Sequence, residues 1–400
     1  MASHSTPPPA GDTLPLSGIR VIDLSAYIAA PYGCTLLADQ GAEVIKVEPP
    51  GGDNLRKYPS TLKAEGRAFI GANRGKQGIV LDLKQPAARD VLTRLLRRAD
   101  VLVHNFRPGV PERLGIDVRT LAKLNPRLVV CAVTGYGERG PLKDKAGYDQ
   151  VLQAMTGICA LQGTAAEPQI VYGSVVDYYA ASLLAAGVAS ALYERERTGR
   201  GRFVGISLLR SALAMQSARM VWADDEPRQV FRDLRSGGIT GLHPTRSGTL
   251  YISVNTPHFW AALCELIGEP GLATDERFDT VRKRAERADE LIPRLRQALQ
   301  RHTAVEWVQI FGERVPCAAA AEIEDMFDHP QVLAEGMVSR FEHPVAGPYR
   351  GLTAAIKFDD GNAPPPRPAP AFGEHTDRLL AELGYDESEI ATLRAAGATA

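Results

Sequence analysis

The feature that most constrains this chain is an alternation beginning at Gly18. Short runs rich in β-branched residues (GIRVIDLS, EVIKVE, GIVLDL, VLVHNF, RLVVCAVTG) take turns with segments of helical period (PYGCTLLADQGA, AARDVLTRLLRRA, VRTLAKLN). Strands that alternate with helices predict a doubly wound α/β fold around a parallel sheet. Residues 178–197 (YYAASLLAAGVASALYERER) then read as one long, buried, central helix, stopped by the glycine pair of TGRGR. Past residue 225 the texture changes to a charged stretch, a hairpin-like HPTRSGTLYISV and helices with polar faces. This predicts a first part of a large domain over 14–224 and a smaller α+β domain over 225–330. Residues 331–400 are read as linker and C-terminal return to the large domain. Within them NAPPPRPAPAFGEH (362–375) has the composition of a semi-rigid linker.

Composition excludes several functions. Over 400 residues the formal net charge is −1, so nothing predicts a nucleic-acid surface. The five cysteines are widely spaced and mostly flanked by apolar residues, which suits buried free thiols and a reducing, cytoplasmic compartment. The N-terminal MASHSTPPPAGDT resembles neither a signal peptide nor an anchor. The most apolar long stretch, residues 181–193, is too short and too rich in Ala and Gly to span a bilayer, so no membrane partner is expected. The eight histidines are scattered and no C-x-x-C occurs, so no metal site is expected.

Three segments invite a chemical reading. GYGERG (135–140) follows a strand-like run and formally matches the dinucleotide fingerprint. That fingerprint requires the glycines to open a helix and an acidic residue about 20 positions on. Here Pro141 follows at once and residues 155–165 hold no carboxylate, so NAD is not expected and the glycines are read as shaping a loop. IGANRGKQG fails the phosphate-loop pattern at Ile70 and Gln77, though Arg74 and Lys76 could still hold a phosphate as simple cations; a solvated turn is the competing reading. His104 and His258 lie beside apolar runs and read as core or edge histidines. In VYGSVVDYYAASLL (171–184), Asp177 stands where the long helix begins. It reads either as an N-cap or as a nucleophilic carboxylate supported by the helix N-terminus.

Several stretches, in order, resemble the landmarks of the class III CoA-transferases, the CaiB/BaiF group that includes formyl-CoA transferase. They are LSGIRVIDLSAYIAAPYGCTLLADQGAEVIKVEPPGGD, NRGKQGIVLDL, NFRPGVPERLGID, NPRLVVCAVTGYGERGP, AGYDQVLQAMTG, GSVVDYYAA, YERERTGRG and FGEHTDRLLAELGY, and they cover residues 14 to 395. The resemblance implies an interlocked homodimer. Each chain would have a Rossmann-like large domain built from its N- and C-terminal parts, with a smaller domain between them. It implies that Asp177 is the catalytic aspartate that attacks an acyl-CoA, with coenzyme A as substrate and a small carboxylic acid as acceptor. For CoA binding the family pattern falls on Tyr27, Ile28, Ala29, Lys76, Asn105, Phe106, Arg113 and Tyr148.

The chain also departs from the formyl-CoA transferase pattern. Ile28 stands where that enzyme has Gln, Pro49 where it has Arg, and Ala146 where it has Lys, a charge that Lys145 could replace. The loss of a polar group at Ile28 argues against formate and oxalate. SGGITG (236–241) resembles a thinner version of the family's glycine-rich loop. Arg232, Arg235 and Arg246 could hold a second carboxylate, which would favour succinyl-CoA and a dicarboxylate acceptor. The alternative on the same fold is an α-methylacyl-CoA racemase, which resembles this chain but carries His where AGYD has Tyr148. An unperturbed Tyr is a weak base near neutral pH.

Overall fold

The structure is a computed structural model that describes residues 14–163, 166–226, 238–358 and 367–400. It divides into two compact units, Met1–Met220 with Gln331–Ala400, and Val221–Pro330.

The first unit is built on a six-stranded sheet of β1 (Arg20–Asp23), β2 (Glu43–Glu48), β3 (Gln77–Val80), β4 (Val101–His104), β5 (Val129–Thr134) and β6 (Phe203–Ser207), in the order β3-β2-β1-β4-β5-β6. Every neighbouring pair is parallel. The strands are apolar at consecutive positions because both faces are buried. Val21, Val44, Val101, Val103, Val129 and Cys131 face one core, and Ile22, Ile45, Leu102 and Val130 face the other. On the first face lie α1 (Ala29–Asp39), α8 (Val175–Thr198) and α9 (Leu208–Ala214). On the second lie α3 (Pro86–Arg97), α5 (Val118–Leu124) and the C-terminal helices Thr376–Glu382 and Glu387–Ala395. This unit also holds α2 (Arg67–Asn73), α4 (Val110–Leu114), α6 (Asp149–Met155) and α7 (Ile158–Gln162).

The long helix extends further than the apolar run suggests. At 24 residues, α8 is long and apolar enough to cross a membrane by length and composition, so the argument from a 13-residue stretch does not hold. In this fold its buried positions, Val176, Ala180, Leu184 and Val188 among them, line the first core. Gly33 of α1 lets the two helices approach closely, since a Cβ there would lie 2.9 Å from the Leu184 methyls.

The segment read as a linker behaves differently where it is described. Ala369 is fully buried, and the carbonyls of Arg367 and Pro370 accept hydrogen bonds from the Gly75 amide (3.0 Å) and the Arg56 guanidinium (3.1 Å). Proline-rich composition predicts stiffness, but contact with the sheet edge determines whether a stiff segment is free. Just beyond it, His375 Nδ1 accepts from the Gly78 amide at 3.2 Å and Thr376 Oγ1 from that of Val80 at 3.3 Å. Thr399 Oγ1 donates to the Val80 carbonyl at 2.6 Å. These contacts cover the open edge of β3.

The second unit has its own core around Trp260, Phe278, Trp307 and Phe311. Its three-stranded antiparallel sheet, Gly241–Pro244, Thr249–Ile252 and Cys317–Ala319, includes the hairpin expected from HPTRSGTLYISV.

Candidate active site

Asp177 lies in the first turn of α8 and is not its cap. The N-cap is Ser174, in the left-handed region at φ 57°, with Gly173 before it at φ 107°. That sharp turn starts the helix earlier than the carboxylate and frees the Asp177 side chain from capping. The helix end is instead capped from another element. Buried Asp149, at the start of α6, accepts from the amides of Val176 (2.7 Å) and Asp177 (3.0 Å) through Oδ2. Its Oδ1 accepts from Gln153 Nε2 at 2.5 Å, and Gln153 is anchored in turn to the backbone of Val171.

This arrangement sets the state of Asp177. Burial, and secondarily the negative charge of Asp149, push its carboxyl up to about 7 from an ordinary 3.8. The helix N-terminal amides that could have offset this rise are already engaged by Asp149.

Asp177 lies on the wall of a cavity of about 280 Å³ at the C-terminal end of the parallel strands, where ligands enter open α/β sheets. Of the residues expected to bind CoA, Tyr27, Ala29, Asn105, Phe106, Lys145 and Tyr148 line this cavity with it. Tyr27 holds a left-handed φ of 68°, which costs a non-glycine residue about 1–3 kcal/mol and persists only where neighbours over-determine it. Asp53 Oδ1 accepts from the Tyr27 amide (3.4 Å) and Asn54 Nδ2 donates to its hydroxyl (2.9 Å). Asn105 fixes the preceding residue twice, accepting from the Ala26 amide (3.1 Å) and donating to its carbonyl (2.7 Å). The Tyr27 and Tyr148 rings meet edge to face at 5.9 Å.

The GYGERG glycines open no helix. They form the loop after β5, where Gly135 packs so tightly on Gly147 that a Cβ at 135 would lie 2.8 Å from the Gly147 Cα. This close approach places Lys143, Lys145 and Tyr148 on the cavity beside Asp177.

Other expected residues lie elsewhere. Lys76 is buried and does not line the cavity; it donates to Asp23 (2.8 Å), the Pro31 carbonyl (2.7 Å) and Asn73 Oδ1 (2.8 Å), which commits all three ammonium protons. Lys46 is likewise buried, bonding the Ser25 carbonyl at 2.9 Å and pairing with Asp53 at 3.0 Å. Lys46 thus holds the turn at Ser25 directly, whereas Lys76 reaches it only through Asp23, whose Oδ1 accepts from the Ser25 amide at 2.9 Å. Arg74 pairs with Asp39 and donates to the Thr353 carbonyl at 2.9 Å, so it too is engaged. Ile28 caps α1 and packs toward Leu55 and Phe69, and Arg113 is exposed on α4; neither lines the cavity. Arg232 and Arg235 lie outside the described residues, as does part of SGGITG. Arg246 lies in the second unit, paired with Glu306 at 2.8 Å.

The reading of the residues missed Arg107, Lys143, Asp149 and Gln153. Arg107 and Lys143 are cations on the cavity wall with no ion-pair partner among the described residues. Arg107 sits inside NFRPGVPERLGID and Lys143 in the gap between NPRLVVCAVTGYGERGP and AGYDQVLQAMTG, where a basic residue looks like ordinary surface. The His104 and Phe106 rings stack at 5.5 Å.

A carboxylate of raised pKa, cations without an ion-pair partner among the described residues and flanking aromatics suit the cavity to an anionic ligand. Comparison with known proteins agrees. The chain matches the model of CoA-transferase family III over residues 16–376. It is 34% identical to the acetyl-CoA:oxalate CoA-transferase of Acetobacter aceti, over 95% of this chain and 99% of that protein. It is 30% identical to the succinyl-CoA:glutarate CoA-transferase of Mus musculus, over 96% and 90% respectively. A CaiB/BaiF family protein from Brucella suis has a similar structure, with a TM-score of 0.81 at 29% identity, covering 93% of this chain and all of that one. The chain belongs to CoA-transferase family III and is an enzyme of that kind.

Proposed function

We propose that this enzyme moves CoA from an acyl-CoA donor to a small carboxylic acid through covalent intermediates on Asp177. The observation that carries the reading is the half-buried Asp177 carboxylate on the same cavity as Arg107, Lys143 and Lys145. In the first step a carboxylate oxygen attacks the thioester carbon and CoA leaves as thiolate, giving an acyl-aspartyl anhydride. The thiolate then attacks the aspartyl carbonyl and releases the donor acid. The acceptor carboxylate attacks the resulting aspartyl thioester and expels the thiolate. Attack of that thiolate on the acceptor's acyl carbon forms the product and returns Asp177 as carboxylate. No proton is consumed over the cycle, and the covalent thioester keeps energy that water would otherwise discharge.

Succinyl-CoA as donor and a dicarboxylate as acceptor are the favoured pair. Relatives named for oxalate, glutarate and D-citramalate support a dicarboxylate acceptor. The strand order supports a Rossmann-like reading of the first unit. We further propose an interlocked homodimer in a reducing, cytoplasmic compartment; the five cysteines are all free thiols.

The test is incubation with succinyl-CoA and a panel of carboxylic acids, with new thioesters read by mass spectrometry. New thioesters that fall by roughly a thousandfold or more in Asp177→Ala are expected. α-Proton exchange in a branched acyl-CoA without any new thioester would overturn the reading in favour of a racemase.

A further inference from the structure

The turn that begins α8 is held by one face of a neighbouring helix. Asp149 and Gln153 stand four residues apart on α6, so their side chains share a face, and the bond from Gln153 Nε2 to Asp149 Oδ1 joins them at 2.5 Å. Each then takes one end of the turn. Gln153 pairs with both backbone groups of Val171: Oε1 accepts from its amide at 2.9 Å and Nε2 donates to its carbonyl at 2.9 Å. Asp149 Oδ2 takes the amides of Val176 and Asp177. Between those ends the chain runs through Tyr172, which is 85% exposed, and Gly173, where an added Cβ would touch nothing within 4 Å among the described residues. Ser174 follows in the left-handed region at φ 57° and supplies no side-chain cap. A non-glycine residue stays there only where its surroundings over-determine it. Tyr172 and Gly173 have little packing to hold them, so the polar bonds at the two ends carry the constraint. Gln153 is fully buried and is not part of the cavity wall, and its amide has both protons and its oxygen engaged.

We propose that Gln153 is a positioning residue for Asp177: its side-chain amide closes a clamp of α6 on both ends of the 171–177 turn, and so fixes where the Asp177 carboxylate projects. The proposal rests on Asp177 being the carboxylate that attacks the thioester. Gln153 touches no reacting atom and acts through Asp149 and Val171. The N-cap of the same helix is Tyr148, which lines the cavity with Asp177, so the clamp also sets the spacing between those two residues. Attack on a thioester carbon depends steeply on that alignment, whereas affinity for the acyl-CoA is spread over the rest of the cavity wall.

The test is Gln153→Met, which keeps an unbranched buried side chain and removes all three hydrogen bonds, assayed for acyl transfer with and without Ser174→Gly. In Gln153→Met, kcat should fall roughly ten- to a hundredfold while KM for the acyl-CoA stays within about twofold. Glycine takes the left-handed conformation without strain, so Ser174→Gly should return a large part of that loss. Full kcat in folded Gln153→Met, or the same loss whether residue 174 is serine or glycine, would overturn the proposal. Amide exchange of the wild-type protein, read residue by residue, decides the matter if the variant does not fold. The amides of Val171, Val176 and Asp177 should exchange roughly tenfold or more slowly than those of Tyr172 and Gly173, although the first-turn amides of a helix ordinarily lack a partner. Equal exchange across these residues would overturn the clamp. Acyl transfer that survives in Asp177→Ala would overturn the covalent reading instead, and the exchange pattern would still decide the clamp.

Discussion

Asp149 and Asp177 illustrate how one residue sets another's chemistry. Asp149 occupies the amides at the start of α8 and adds its charge to the burial that raises Asp177. The proposed transfer needs ionised Asp177, so kcat/KM should rise with pH through about 7. In Asp149→Asn the neutral amide retains an oxygen acceptor and removes the charge, so the acid limb should move to lower pH. Because burial is the larger cause, the limb should stay above the ordinary carboxylate range; an unmoved profile would remove Asp149 from the electrostatics of the site. The same carboxyl bears on stability. Its pKa in the fold lies above its unfolded value, so its contribution is fully present below about 4 and lost as pH rises through about 7. Asp177→Asn should therefore melt progressively higher than the parent between those two pH values and keep that advantage above them. Calorimetric melts at pH 4 and pH 8 would show whether the gap opens in that direction.

At the scale of elements, the strands and helices of the sheet were legible because period alone distinguishes them. Consecutive apolar positions such as Val101, Leu102 and Val103 supply both cores. The start of α8 was not legible. A left-handed Ser174 has no sequence signal strong enough to outweigh the common preference for Asp as a cap, so the cap reading of Asp177 stands beside the nucleophile reading until the structure gives the cap to Ser174. Lys76 was misread for a related reason: a lysine between glycines looks exposed, and only the packing of Asp23, Pro31 and Asn73 around it shows that it is buried. The loop after β5 gives a direct test of element packing. Gly135→Ala would force its Cβ against the Gly147 backbone, which cannot yield as a side chain would. Overpacking of this kind costs about 1–3 kcal/mol. The variant should lose stability by that amount in urea unfolding and bind CoA more weakly, since the same contact places Lys145 and Tyr148. Normal CoA affinity in a destabilised variant would show that the contact supports the fold without shaping the cavity.

For the whole molecule, an interlocked homodimer makes a prediction that an ordinary dimer does not. Light scattering should give twice the chain mass. Dilution to low nanomolar concentration should not yield folded monomer on the timescale of hours, because linked chains separate only by unfolding. Ready exchange of differently tagged subunits under native conditions would exclude the link. By itself the sequence determined the alternating α/β layers and the family, since these depend on local period and on residue types in order. Only the tertiary structure decided which charges face the cavity. Lys76, Lys46 and Arg74 became buried supports, while Arg107, Lys143 and Lys145 line the cavity without an ion-pair partner among the described residues. A side chain's charge is written in the sequence, but its solvation and its partners depend on residues that only the fold brings near.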